Sequence, residues 1–103
     1  MVILKKKRII LWDDEAKLYF KQAIQYIKQE SPQGAQTVKL AILEHVAVLK
    51  ENAGIYEVDK FKIENDGSYR SVTVFSYRIS YKITESHIHI LRIRHTSQDP
   101  IIY

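Results

Sequence analysis

The 103-residue sequence predicts an α+β domain of order β-α-α-β-β-β, an αα-hairpin packed on one face of a mainly antiparallel sheet. Three observations lead there. Apolar residues recur at helical spacing between residues 14 and 52, with one interruption at Ser31-Pro32. After Gly54 the period changes to two. The connections between the later strands are too short to make parallel crossovers.

The elements follow in order. Ile9 and Leu11, with basic residues before them, read as a first strand ending at Trp12-Asp13-Asp14-Glu15. Asp13 suits an N-cap, and Asp14 and Glu15 suit the positive end of a helix dipole. Ala16, Phe20, Ala23, Ile24 and Ile27 draw one stripe down a helix to about Glu30, with Tyr19 and Tyr26 widening it. Ser31-Pro32 then supplies a second N-cap and a proline at the first helical position, so one helix stops and another begins at once. Ala35, Val38, Ile42, Val46 and Leu49 continue on that second helix, which ends near Asn52-Ala53-Gly54. Leu40, Leu43 and Val48 lie off this stripe and suggest a second neighbour. Phe61 and Ile63 alternate with Lys60 and Lys62 before the turn signal Asn65-Asp66-Gly67, leaving room for an extra short strand near residues 60–64. Residues 69–74 read as a strand. Tyr77, Ile79, Tyr81 and Ile83 alternate with Arg78, Ser80, Lys82 and Thr84, the pattern of a half-buried strand. After Glu85-Ser86, residues 88–94 form the last strand, with Leu91 and Ile93 opposed to Arg92 and Arg94.

Composition bounds the function. A chain of this length holds one domain, residues 1–103, with one modest core. With 46% apolar residues, three glycines and two prolines, it is not a disordered segment or a loop-built scaffold. The absence of cysteine excludes disulfides, thiolate metal sites and cysteine nucleophiles, and it fits a reducing compartment. Neither a signal-peptide core nor a membrane span is visible, so the expectation is a cytoplasmic protein with no membrane partner. The formal net charge is +4, and its distribution is uneven. Residues 13–59 sum to −3 while the flanking segments sum to +7. Helical middle and strand flanks then place the positive field on the sheet side, where a nucleic-acid backbone would be drawn. Solubility is the competing reading of an excess this small.

Several pieces together resemble the RelE/ParE family of toxins from type II toxin–antitoxin, or plasmid stabilisation, systems. They are Trp12-Asp13 at the end of the first strand, Ser31-Pro32-Gln33-Gly34-Ala35 between the helices, and Tyr69-Arg70. Tyr77-Arg78-Ile79-Ser80-Tyr81 and the final strand Ile90-Leu91-Arg92-Ile93-Arg94-His95 complete the set. The resemblance implies a RelE-like fold and two candidate biochemistries. RelE-like members cut mRNA in the ribosomal A site, and ParE-like members poison DNA gyrase without established nuclease activity. In the nuclease reading, which the sequence favours, Arg78 matches the arginine used on the scissile phosphate. Arg70 lies near a further cationic position, and His95 sits where some members place a catalytic histidine with a pKa suited to acid–base work. Lys60, Lys62, Arg92 and Arg94 would hold the RNA backbone. The implied partners are a cognate antitoxin, with ribosome and mRNA or else gyrase, and a homodimer or toxin–antitoxin heterotetramer as candidate assemblies. No cofactor is implied. An inactive binding module of the same family is the third reading. The chain continues past His95 where nucleases often end in a catalytic residue, and Arg78 and His95 also have counterparts in ParE-like members.

Other residues carry plainer readings. Without the resemblance Arg78 is a solvated residue on an open sheet face, and His95 is a strand-end cap. His87 and His89 face one way but lack a third ligand, so no metal site is assigned. Tyr77 and Tyr81 belong to the core, Tyr69 stays open, and His45 sits at the surface or a helix interface. Lys5 to Arg8 guards a strand edge or contacts nucleic acid. Pro100-Ile101-Ile102-Tyr103 is apolar enough to dock on the domain or on a partner.

Overall fold

The computed structural model describes residues 7–103; Lys5 and Lys6 of the basic run at residues 5–8 therefore lie outside the described residues. Two helices pack on one face of a five-stranded open sheet of order β1-β5-β4-β3-β2. Strand β1 (Ile9–Trp12) leads into α1 (Asp14–Glu30), α2 (Pro32–Ala47) and a short 3-10 turn at Val48–Lys50. Then come β2 (Glu57–Val58), β3 (Tyr69–Val74), β4 (Tyr77–Ile83) and β5 (His87–His95). Every ladder is antiparallel except the parallel pairing of β1 with β5. The long excursion through both helices supplies the crossover that a parallel pair requires.

The boundaries have local causes. Asp13 has extended backbone at the start of α1, though its side chain makes no cap hydrogen bond, so Asp14 and Glu15 favour this end through the helix dipole alone. Ser31 ends α1 with an extended residue whose N–H donates to Ile27 O, and its Oγ accepts from Gly34 N at 2.9 Å to open α2. A side-chain cap of this kind is worth about 1 kcal/mol. The stripe Ala35, Ile42, Val46 and Leu49 is buried as its spacing requires, whereas Leu40, Leu43 and Val48 are exposed. Tyr26 also leaves the α1 stripe and stands exposed.

Differences from the sequence reading concentrate in the sheet. The extra strand is β2 at Glu57–Val58, and residues 60–64 form a turn instead. Asn65 fixes that region: its Oδ1 accepts from Gly67 N and Tyr69 N, and its Nδ2 donates to the carbonyls of Asp59 and Tyr69. Gly67 takes φ +96° there, a conformation that side chains disfavour. On β5, the register passes from Tyr81↔Ile90 to Ser80↔Arg92, leaving Leu91 as an extra residue in a bulge. The bulge resets the alternation. Ile88, Ile90 and Ile93 all reach the core, while Arg92 and Arg94 turn to the opposite face and Leu91 joins His89 and Leu11. Unbroken alternation from Ile90 would instead have pointed both arginines into the core.

Tyr77, Ile79 and Tyr81 on β4 meet Ile88, Ile90 and Ile93 on β5 under Ala16, Ile42, Val46 and Leu49 of the helical layer. Trp12 stacks on Phe20 with ring centroids 5.3 Å apart, tying β1 to α1. Ser80, on the other face of β4, is buried as well. The outer face of that strand is closed over at Ser80 and only partly covered at Arg78 and Lys82, by segments of the chain itself.

Candidate functional site

The face of the sheet turned away from the helices is the cationic one. Cross-strand register sets Thr73 beside Arg78 and Arg78 beside Arg94, with Ser80 beside Arg92 and Tyr69 beside Lys82. Two segments cross over it. The turn after β2 brings Asp59 and Phe61, and residues 99–103 run alongside, with Ile63 N donating to Tyr103 O and Tyr103 N to Phe61 O.

Asp59 is the centre of this cover and is only 2% exposed. Its Oδ1 accepts from Arg78 Nη2 at 2.8 Å and from Phe61 N at 3.0 Å, and its Oδ2 accepts from the Tyr103 hydroxyl at 2.6 Å. A carboxylate taken out of water is tolerated only when so surrounded. Burial by itself pushes Asp59 up, but the donated hydrogen bonds and the Arg78 charge outweigh it and hold the carboxyl below its ordinary range. The partner responds in the opposite sense. Burial first, and the adjoining carboxylate second, push the Tyr103 phenol up to about 12.

Aromatic rings and cations interleave around this pair. The Arg78 guanidinium lies 4.7 Å from the Phe61 ring centroid, and that of Arg92 lies 4.2 Å from the Tyr103 ring. Lys62 Nζ stands 4.8 Å from the Tyr69 ring and 5.5 Å from Tyr103, and Lys60 Nζ lies over Phe61 at 5.3 Å. Arg94 Nη2 donates to Asp99 O, while Arg94 Nε is buried with no partner among the described residues. A cleft of about 250 Å³ remains between Asp59, Arg78, Arg92, Arg94, His95 and Ile101.

His95, at the end of β5, borders this cleft too, but its ring turns to the helix side. It pairs across the ladder with Tyr77, a core residue, and their rings meet edge to face at 5.3 Å. The Ser97 backbone N–H donates to His95 Nδ1 at 3.0 Å, and the Ser97 hydroxyl lies 2.7 Å from the same atom. Nδ1 is thus an acceptor, and the neutral ring carries its proton on Nε2. A groove of about 750 Å³ opens beside it, bounded by Tyr19, Tyr26, Ile27, Phe75 and Tyr77. Phe75 marks its rim at the β3–β4 turn, exposed and held at φ +53°. A bulky aromatic rarely adopts that backbone conformation.

Arg70 lies in a third place. Its register partner is Tyr81, so it points to the helix side at the end of β3. Its Nε donates to Gly67 O at 3.0 Å, and its Nη1 donates to Tyr56 O at 2.8 Å and Gly54 O at 3.4 Å. Arg78, Arg92, Arg94 and Lys60 share the cleft on the outer face, with Lys62 beside it on the Tyr69 and Tyr103 rings. The His87 and His89 rings lie 5.8 Å apart, and no group of three metal-ligating residues exists among the described residues. His45 is half-buried, with Nδ1 2.6 Å from Ala41 O and its ring stacked on Tyr56.

Residues 10–100 match the sequence family described as the ParE toxin of the type II toxin–antitoxin system, parDE. The chain belongs to the ParE toxin family. Solved structures agree on the fold. One titled as a chromosomal ParDE system from P. aeruginosa has a TM-score of 0.69 at 18% identity, covering 86% of this chain and 96% of that one. The YoeB dimer from Staphylococcus aureus has a TM-score of 0.58 at 18% identity, covering 86% of this chain and 97% of that one. No curated protein matches by sequence. Membership in the ParE family implies a cognate antitoxin. Among the described residues of this ParE-family chain, no helix is long and apolar enough to cross a membrane.

The residues that sequence reading missed in this ParE-family domain are Asp59, Phe61 as the ring beneath Arg78, and Tyr103. Asp59 was counted among the acids of the middle segment, and nothing local marks it as buried. The signal that existed was the apolar stretch Pro100-Ile101-Ile102-Tyr103, which docks on the domain through Tyr103 while Ile101 and Ile102 stay exposed.

Proposed function

We propose that this toxin arrests growth by binding a protein target, DNA gyrase or a related topoisomerase, and does not cleave mRNA. One observation carries the reading: the arginine that would stabilise a phosphate is already neutralised by a buried carboxylate. Arg78 is in an ion pair with Asp59, His95 borders the same cleft but has its ring against Tyr77 and its Nδ1 accepting from Ser97, and Arg70 is bonded to backbone carbonyls. RNA cleavage by this chemistry needs a phosphate-stabilising cation and an acid–base group converging on one phosphodiester. An arginine neutralised by a buried carboxylate and a histidine whose ring packs on Tyr77 do not supply that. The ParE family match favours the same reading over the ribosome-dependent endoribonuclease to which the sequence motifs pointed. We further propose that the antitoxin-bound form is a heterotetramer.

The test is a gyrase supercoiling assay with purified toxin. The expected result is loss of supercoiling with accumulation of cleaved DNA covalently held by gyrase, and relief on adding the antitoxin encoded beside the toxin gene. Unchanged supercoiling at micromolar toxin, together with arrested translation in a cell-free extract, would sink the proposal.

A further inference from the structure

The β3–β4 connection is a hairpin loop of two residues, since Val74 and Tyr77 are the last pair of the ladder and only Phe75 and Ser76 lie between them. Loops this short call for a positive φ at the first central residue, which glycine or asparagine ordinarily supplies. Here that position holds Phe75 at φ +53°, a strained conformation for a bulky side chain. Nothing inside the chain offsets the strain. Phe75 is 62% exposed, and Tyr26, which lines the same groove, is 67% exposed. Val74 and Tyr77 on either side are buried, and Thr96 N donates to Ser76 O at 2.8 Å, so the turn is held firmly while its aromatic side chain stays in water. A fixed turn that presents such a side chain is a preorganised contact.

Charge selects the kind of partner. Glu30 is the only Asp, Glu, Lys or Arg residue lining the groove that Phe75 borders, whereas Arg78, Arg92, Arg94 and Lys60 gather at the cleft on the outer face. A phosphate backbone is drawn to cations. A corner made of Phe75, Tyr26, Ala23 and Ile27 matches the uncharged, aromatic centre of a protein–protein contact instead. Strain kept at the expense of stability marks a residue that activity needs. The activity of a toxin is exerted on its target, not on the antitoxin that silences it.

We infer that Phe75 is the anchor by which this toxin holds the topoisomerase, its ring inserted into an apolar pocket of that enzyme while Tyr26 and Ile27 pack against the pocket's rim. The inference rests on the topoisomerase reading and names the surface that serves it.

The experiment is the gyrase supercoiling assay on the full chain, with Phe75→Gly beside wild type and thermal melts of both. Glycine takes a positive φ freely. Phe75→Gly is therefore expected to melt at or above the wild-type temperature, while about tenfold or more toxin is needed for half inhibition. Phe75→Leu keeps an apolar side chain at the turn and is expected to recover most of the inhibition. If Phe75→Gly does not fold, Phe75→Asn carries the test, since asparagine also tolerates the left-handed region. Equal inhibition by wild type and a folded Phe75→Gly would overturn the anchor and leave the topoisomerase reading standing, whereas a wild type that leaves supercoiling unchanged would remove both. A Phe75→Gly protein that melts well below wild type would overturn it too, by making Phe75 a packing residue. So would another occupant of the site. Its signs are a Phe75→Gly protein that still inhibits gyrase but no longer binds the antitoxin, or a wild-type dimer that the substitution dissociates without loss of inhibition.

Discussion

Asp59→Ala is expected to lower the stability of the protein by about 3 kcal/mol or more, because it leaves the Arg78 guanidinium without its counter-ion under a largely dry cover. The ion pair is 2.8 Å long, and the two side chains are 22% and 1% exposed. The alanine also orphans the Phe61 N–H and the Tyr103 hydroxyl that now donate to the carboxylate. In a domain of this size such a loss lowers the melting temperature by more than about 10 °C. Circular dichroism melts and urea titrations check it.

The same residue sets an acid dependence, and its sign follows from the lowered pKa. The folded value lies below the unfolded value of about 3.9, so the stabilisation is fully present above the unfolded value. It is lost as the pH falls through the folded one. Wild type should therefore lose stability below about pH 4 more steeply than Asp59→Asn, which has no carboxylate to protonate. Parallel urea midpoints for the two proteins across this range would show that the ion pair contributes nothing to folding.

Tyr81→Ala is the second large effect, expected to cost about 3–5 kcal/mol. Tyr81 has no exposed surface and is the largest of the fully buried side chains, at the centre of the sheet. Its ring meets Tyr56 edge to face, with centroids 6.4 Å apart. The hydroxyl donates to Ala53 O at a long 3.4 Å, so Tyr81→Phe should cost about 1 kcal/mol or less. Burial pushes the phenol well above its ordinary range, so the group stays protonated wherever the protein is folded. A large loss for the alanine and a small one for the phenylalanine identify packing, not hydrogen bonding, as what Tyr81 contributes.

Most of the fold was legible because its signals are local. Ser31-Pro32 marks a helix junction by cap chemistry alone, and the Ala35-to-Leu49 stripe is buried where its period puts it. Strand β3 fell on residues 69–74 as alternation required. Illegible features depend on residues far apart in sequence. The Leu91 bulge arises from pairing with Ser80 and Tyr81, and no composition cue distinguishes it from an unbroken strand. Asp59 meets Arg78 and Tyr103 across separations of 19 and 44 residues. The motif containing Arg78 was visible, but its carboxylate partner was not. His95 was placed on the last strand correctly, yet the bulge upstream decides which face it occupies.

The neutralised Arg78 and the Tyr77-packed His95 lead to the most direct test of the functional reading. Purified toxin incubated with programmed ribosomes and a short message should leave the message intact by primer extension, and His95→Ala should arrest growth as wild type does. Cleavage at the A-site codon by wild type, abolished by His95→Ala or by Arg78→Ala, would contradict it.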